Sequence, residues 1–156
     1  MEKKNGNHKE LVVSAIENGT VIDHIPVQGV FQVTRLLRLD ERSSHVLIGT
    51  NLDSKKFGKK GIVKVSDKYF AREDINKIAL VAPTATLIEI RGFKVTEKKQ
   101  VEVPDTIEKV VRCVNPNCVT NVENVPTRFR VINKQDVKLR CHYCEKITDK
   151  RNMGFR

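Results

Sequence analysis

All four cysteines of this 156-residue chain fall in its last third, as Cys113-Val-Asn-Pro-Asn-Cys118 and Cys141-His-Tyr-Cys144. A C-x4-C turn and a C-x2-C turn, brought face to face, offer four sulfurs in the tetrahedral arrangement that suits Zn²⁺. Two disulfides, or four free structural thiols, are the alternatives. A reducing compartment disfavours disulfides and nothing in the sequence signals export, so a metal is expected. Four thiolates around Zn²⁺ carry a net −2, and Arg112, Arg140, His142 and Lys146 are near enough in sequence to temper it. A catalytic zinc keeps one position open for water, and its ligand sets usually include His or Glu. Four soft ligands close the shell, and His142, inside the second turn, is expected to point outward. The metal is therefore expected to be structural, its binding worth on the order of 10 kcal/mol of folding free energy.

Such a staple suits the composition. Hydrophobic residues make up 39% of the chain, aromatics 5%, and Trp is absent, which favours two small cores over one large one. No apolar run approaches the ~20 residues needed to span a bilayer. Residues 1–10, beginning Met1-Glu-Lys-Lys, lead into no apolar leader and read as a disordered tail of a cytoplasmic protein. The net charge of +10 points to an anionic partner, whether nucleic acid, nucleotide or acidic protein. From Asp105 onward 11 Lys/Arg stand against 6 Asp/Glu, so half of the excess accompanies the cysteines. The alternative is a surface laced with ion pairs, as in a heat-adapted protein, and charge alone does not separate the two.

Upstream, Leu11–Ile16 reads as a strand, broken by the turn signal Asn18-Gly19, and residues 19–26 form a second apolar stretch. Val30, Val33 and Leu37 at i, i+3 and i+7 predict an amphipathic helix, with Arg35 and Arg38 off the stripe. Val46–Ile48 and Ile62–Val65 read as buried strands. A second helix is marked by acidic Glu73 and Asp74 in its first turn, by the stripe Ile75, Ile78, Ala79, Ala82, and by Pro83 at its end. Thr86–Ile90 and Phe93–Val95 add further strand. The order β-α-β-β-α-β predicts a ferredoxin-like α+β domain over residues 11–100, with two helices on one face of an antiparallel sheet. The polar run Thr96–Asp105 reads as a linker. Beyond it, Phe129–Ile132 and Val137–Arg140 alternate apolar and basic residues as a hairpin does, predicting a small zinc-bound antiparallel β domain over residues 101–156.

Three features are ambiguous on the residues alone. Lys55, Lys56, Lys59 and Lys60 flank Gly58 and Gly61, as a phosphate grip or a solvated turn, without P-loop spacing. Lys64 sits inside a strand, where it either reaches solvent at an edge or meets an anion. Asp23-His24 is a turn or cap, or else part of a site. No nucleophile accompanies that pair, because the cysteines are committed to metal and no serine sits in a G-x-S-x-G elbow.

Residues 19–26 (Gly-Thr-Val-Ile-Asp-His-Ile-Pro), Ile48-Gly-Thr-Asn-Leu52, Gly58-Lys-Lys60 with Lys64, Ile78-Ala-Leu-Val-Ala-Pro83 and Cys141-His-Tyr-Cys-Glu145 together resemble the regulatory chain of aspartate carbamoyltransferase. The resemblance runs in register from about Leu11 to the last cysteine. It implies a non-catalytic subunit of pyrimidine biosynthesis, with an N-terminal allosteric domain that takes CTP as inhibitor and ATP as activator. It places Val13, Ser14 and Ile16 beside the base, Asp23 and Lys64 at the ribose and base, and His24 and Lys98 at the phosphates with Lys60 nearby. It also implies that Asn115, Asn117 and Glu145 contact the catalytic chain, and that regulatory homodimers pair along a sheet edge to bridge catalytic trimers. A triphosphate of charge near −4 needs several cations, which would give Lys64 its anion.

The chain departs from the family pattern at Ile88, where a polar Asn is frequent, at Phe93 in place of Tyr, and at Ser14 in place of an acidic residue. Base selectivity is expected to shift accordingly, and either Lys98 or Lys99 could serve the phosphates. A competing reading is a zinc-ribbon nucleic-acid-binding protein, motivated by the charge and by Arg128, Arg130, Lys134, Lys138 and Arg140 on the hairpin.

Overall fold

The structure, a computed structural model, describes residues 15–41 and 44–156. The strand expected over Leu11–Ile16 and the tail expected over residues 1–10 therefore lie, but for Ala15 and Ile16, outside the described residues, as do Val13 and Ser14.

Five antiparallel strands form the first sheet: β1 (Gly19–Ile25), β2 (Val46–Ser54), β3 (Gly58–Ser66), β4 (Thr86–Arg91) and β5 (Lys94–Gln100). Their spatial order is β2-β3-β1-β4-β5. The first four follow the predicted ferredoxin-like arrangement, with helices α1 (Val30–Leu36) and α2 (Arg72–Val81) covering one face. Val30, Val33 and Leu37 of the α1 stripe are buried, as are Ile78 and Ala79 of α2. They meet Ile22, Ile25, Val63, Val65 and Leu87 from the sheet. On the face without helices a smaller cluster of Ile16, Val21 and Ile62 gathers Leu52, Ile88 and Ile90. Both faces of β1 and β3 are thus apolar at their centres, as expected of central strands.

The C-terminal residues build a four-stranded sheet ordered β10-β9-β8-β6 from β6 (Thr106–Glu108), β8 (Arg128–Asn133), β9 (Lys138–Cys141) and β10 (Ile147–Thr148). A two-stranded ladder of β7 (Val111–Arg112) and β11 (Gly154–Phe155) stands beside it, with a single helical turn, α3 (Val119–Val122), between. The hairpin alternates as predicted. Phe129, Leu139 and Cys141 turn inward, while Arg128, Arg130, Lys138 and Arg140 are exposed.

Three expectations are corrected. The run Thr96–Asp105 is not all linker, because β5 continues to Gln100 along the sheet edge. Every β5 residue is exposed, so the strand buries nothing and shows no apolar alternation in sequence. Val46–Ile48 is strand but not buried. β2 is the opposite edge, leaving Leu47 and Ile48 42% and 46% exposed. The two small cores expected from composition are joined: one buried cluster runs from Ile22 through Val101, Val103 and Ile107 to Phe129 and Cys141. Val101 is held in it by donating its backbone N–H to Ala85 O at 3.0 Å.

Candidate functional site

Each cysteine is set by a short, hydrogen-bonded piece of backbone. Cys113 follows β7, Cys118 caps the first turn of α3, Cys141 ends β9, and Cys144 closes the turn that leads to β10. The Asn121 side-chain amide donates to the carbonyls of Cys113 at 2.9 Å and Asn115 at 2.7 Å, which ties the first loop to itself. In the second loop Glu145 N–H donates to Cys141 O at 3.0 Å. The four Sγ atoms lie within 4.8 Å of one another.

Two separations test whether a metal fits. Cys113 and Cys144 sulfurs are 3.4 Å apart, and those of Cys118 and Cys141 are 3.8 Å apart. A disulfide needs about 2.05 Å, so these thiols are not cross-linked. Thiolates at about 2.3 Å from a tetrahedral Zn²⁺ stand about 3.8 Å apart, close to what is observed. Burial pushes the Cys113 and Cys141 thiols up. At Cys144 burial acts in the same direction, but the Lys146 backbone, the Asn115 side chain and the neighbouring sulfurs outweigh it and bring the thiol down to about 7. Thr120 Oγ1 donates to Cys118 Sγ at 3.3 Å, a contact no spacing rule would have found. Clustered, buried sulfur of this kind is stabilised by a soft divalent cation. His142 is exposed, as expected, its ring edge-on to Tyr143 at 5.1 Å. Asn115 and Asn117 ride on the first cysteine loop, and Glu145 on the second, next to Cys144.

The second group of residues collects on the helix-free face of the first sheet. Across the ladders Leu47, Lys64, Val21, Ile88 and Lys98 are direct neighbours in one row. Asp23 lies two residues from Val21 and opposite Thr86, so it shares that face. Lys60 Nζ donates to Asp23 Oδ1 at 2.7 Å. β1 is bulged between Ile22 and Ile25, and His24, at φ 56°, is turned out of the regular alternation. Its N–H donates to Asp23 Oδ1 at 2.6 Å, its ring Nδ1 is 3.1 Å from Thr86 Oγ1, and Phe57 meets the ring edge-on at 5.9 Å. Ile16 is buried in the apolar floor beside Val21.

The register places three lysines. β3 is an interior strand, so Lys64 does not lie at a sheet edge. It is half-buried, and burial pulls its pKa down against the raising effect of the Asp23 carboxylate. Lys98 shares the face of Lys64, whereas Lys99 stands opposite Leu87, on the helix face, and pairs with Glu97 at 3.6 Å. The Asp23–Lys60 pairing, Thr86 and Phe57 were not visible in the sequence. They are 37, 62 and 33 residues away from their partners, and only sheet register joins them.

Fold and site together define a two-part, metal-binding α+β chain, a ferredoxin-like platform joined to a cysteine-clamped β module. Residues 11–102 match the model of the aspartate carbamoyltransferase regulatory chain, allosteric domain, and residues 105–154 that of its metal binding domain. The regulatory chain of Pyrococcus horikoshii is 54% identical over 142 residues, covering 90% of this chain and 93% of that one. That of Bacteroides thetaiotaomicron is 51% identical over 140 residues, covering 90% and 92%. That of Pyrococcus furiosus is 52% identical over 142 residues, covering 90% and 93%. The chain belongs to the family of aspartate carbamoyltransferase regulatory chains, and as such is a non-catalytic subunit. Among the described residues no helix is long and apolar enough to cross a membrane.

Proposed function

We propose that this chain binds nucleoside triphosphates on the helix-free face of its first sheet and passes the consequence to catalytic trimers of aspartate carbamoyltransferase. CTP acts as inhibitor and ATP as activator of the committed carbamoyl transfer in cytoplasmic pyrimidine biosynthesis. The observation that carries the reading is the Asp23–Lys60 ion pair, set beside His24 and sharing a face with Lys64 and Lys98 around an apolar floor. The cations answer the phosphates, the floor of Val21, Ile62 and Ile88 accepts a base, and Asp23 can accept a ribose hydroxyl. Val13, Ser14 and Ile16 would lie beside the base, as the family resemblance implies.

Cys113, Cys118, Cys141 and Cys144 would hold one Zn²⁺ with a closed coordination shell. The metal supplies folding free energy, and fixes the loops that present Asn115, Asn117 and Glu145 to the catalytic chain. The exposed apolar edge of β2, with Leu47 and Ile48, suits pairing with a second regulatory chain. The continuous core from β1 to Cys141 supports transmission, since two packed arrangements of one core can be biased from either end. Coupling of about 1–3 kcal/mol is the usual scale for such effectors.

The test is reconstitution with the catalytic trimer, followed by carbamoyl transfer to aspartate with and without CTP or ATP. Sensitivity to both nucleotides, lost in Lys64→Ala while assembly survives, is the expected result. A wild-type assembly indifferent to either nucleotide overturns the reading.

A further inference from the structure

One residue of β1 falls out of register with both neighbouring strands. The pairing with β3 breaks after Ile22 and resumes at Ile25, opposite Gly61, and the pairing with β4 ends at Asp23, opposite Thr86. His24 sits in the gap at φ 56°, a left-handed conformation that persists only where its surroundings impose it. Side chains do so here. Asp23 Oδ1 accepts the His24 N–H at 2.6 Å, Thr86 Oγ1 stands 3.1 Å from the ring Nδ1, and the Thr84 hydroxyl donates to the His24 carbonyl at 3.0 Å. Both backbone polar groups of the bulge are thus met by side chains in place of a ladder.

Asp23 and Thr86 belong to the sheet itself. Thr84 belongs to the turn between α2 and β4, and its neighbour Ala85 is buried and accepts the Val101 N–H at 3.0 Å. Residues 101–105 connect β5 to β6, and Val101 and Val103 are buried in the core that the two parts of the chain share. At the far end Asp105 O accepts the Val131 N–H of β8 at 2.8 Å, and Asp105 Oδ1 meets Lys134 Nζ at 2.7 Å. The connector is therefore pinned at one end to the residue beside Thr84 and at the other to the cysteine module. A cleft of about 590 Å³ bordered by Thr84, Val103 and Lys134 leaves it room to shift. In this series the Thr84 hydroxyl is a link that one substitution removes without altering Asp23 or His24.

We propose that Thr84 is a positioning residue for effector control. Its hydroxyl holds the His24 bulge in shape and makes that shape depend on where the 101–105 connector lies. Occupancy of the nucleotide face and placement of the cysteine module then bias one another. The identity of the ligand rests on the nucleotide reading given above; the tie between bulge and connector does not.

Two measurements on the full, zinc-loaded chain decide the matter. In the first, the His24 ring signals are followed by NMR after Val103→Ala, which hollows the connector. That substitution should shift the signals in the otherwise wild-type chain. It should leave them in place when combined with Thr84→Val, which keeps the side-chain shape and removes the hydroxyl. Lys134→Gln, which releases Asp105 at the surface, repeats the perturbation should Val103→Ala fail to fold. In the second, CTP is titrated calorimetrically. Thr84→Val should weaken binding about tenfold, the scale of one lost hydrogen bond, and Thr84→Ser, which keeps the hydroxyl, should bind as wild type does. A role in packing alone would follow side-chain volume, so Thr84→Val binding as wild type does would refute the proposal. His24 signals that ignore the connector variants, or respond equally with and without the Thr84 hydroxyl, also refute it, and the former needs no Thr84 variant to fold. A wild-type chain that does not bind CTP counts against the nucleotide reading only, and the first measurement then decides Thr84.

Discussion

Lys60 Nζ and Asp23 Oδ1 meet at 2.7 Å across neighbouring strands, with side chains only 19% and 16% exposed. The same oxygen accepts the His24 N–H, so one carboxylate anchors both a lysine and the bulge that turns His24 toward Thr86.

Removing that carboxylate should cost more than a surface ion pair would. Asp23→Ala leaves Lys60 half-buried without its partner and the bulge without its acceptor, and about 1–3 kcal/mol of stability should be lost. Asp23→Asn keeps the acceptor and should lose less. Urea unfolding of the zinc-loaded variants, with Lys60→Met to complete a double-mutant cycle, gives the coupling. A coupling near zero would show that the pair is as weak as an exposed one.

Lys64 sets a pH dependence. Its pKa is lowered chiefly by burial, with Asp23 raising it in part, and the protonated form is the one that attracts phosphate. As pH rises through this lowered pKa the charge is lost, so triphosphate affinity should fall at a lower pH than for a lysine near its usual ~10.4. Lys64→Arg should hold its affinity through the same range. Calorimetric titration of CTP from neutral pH to about pH 10 checks both, and parallel profiles for wild type and the arginine variant would remove Lys64 from the effect.

Metal removal should unfold the cysteine module first. With a chelator, or in Cys118→Ser, amide protection is expected to disappear at Phe129–Val131 and Leu139–Cys141, where β8 and β9 pair beside the sulfurs. The pairing of β1 with β3 should persist longer, since it buries its own apolar residues. Protection of the hairpin that survives complete metal loss would mean that the metal does not organise it.

Gly61 is fixed by close approach. It is buried on β3, and a Cβ there would overlap Val30 Cγ2 of α1, whose β-branched side chain has little rotamer freedom in a helix. Gly61→Ala should therefore destabilise by about 1–3 kcal/mol, as overpacking does. Val30→Ala in the same chain should recover part of the loss, measurable as a shift in thermal midpoint.

Local patterns were legible because they depend on residues a few positions apart. The stripes of α1 and α2, the alternation of the β8–β9 hairpin and the spacing of the cysteines all predicted what the structure contains. The continuation of β5 from Thr96 to Gln100 escaped because an edge strand that buries nothing carries no apolar period, and the exposure of β2 escaped because Val46–Ile48 is apolar in sequence but lies at the rim of the sheet.

Sequence alone determined that this chain carries four metal-competent sulfurs and an α+β platform, since cysteine spacing and hydrophobic period are properties of the covalent chain. Tertiary structure decided which charges meet. Asp23 reaches Lys60, and Lys98 and not Lys99 shares the face of Lys64. Those outcomes follow from strand register, where a shift of one residue sends every side chain to the other face, and register is set by the packing of the whole sheet.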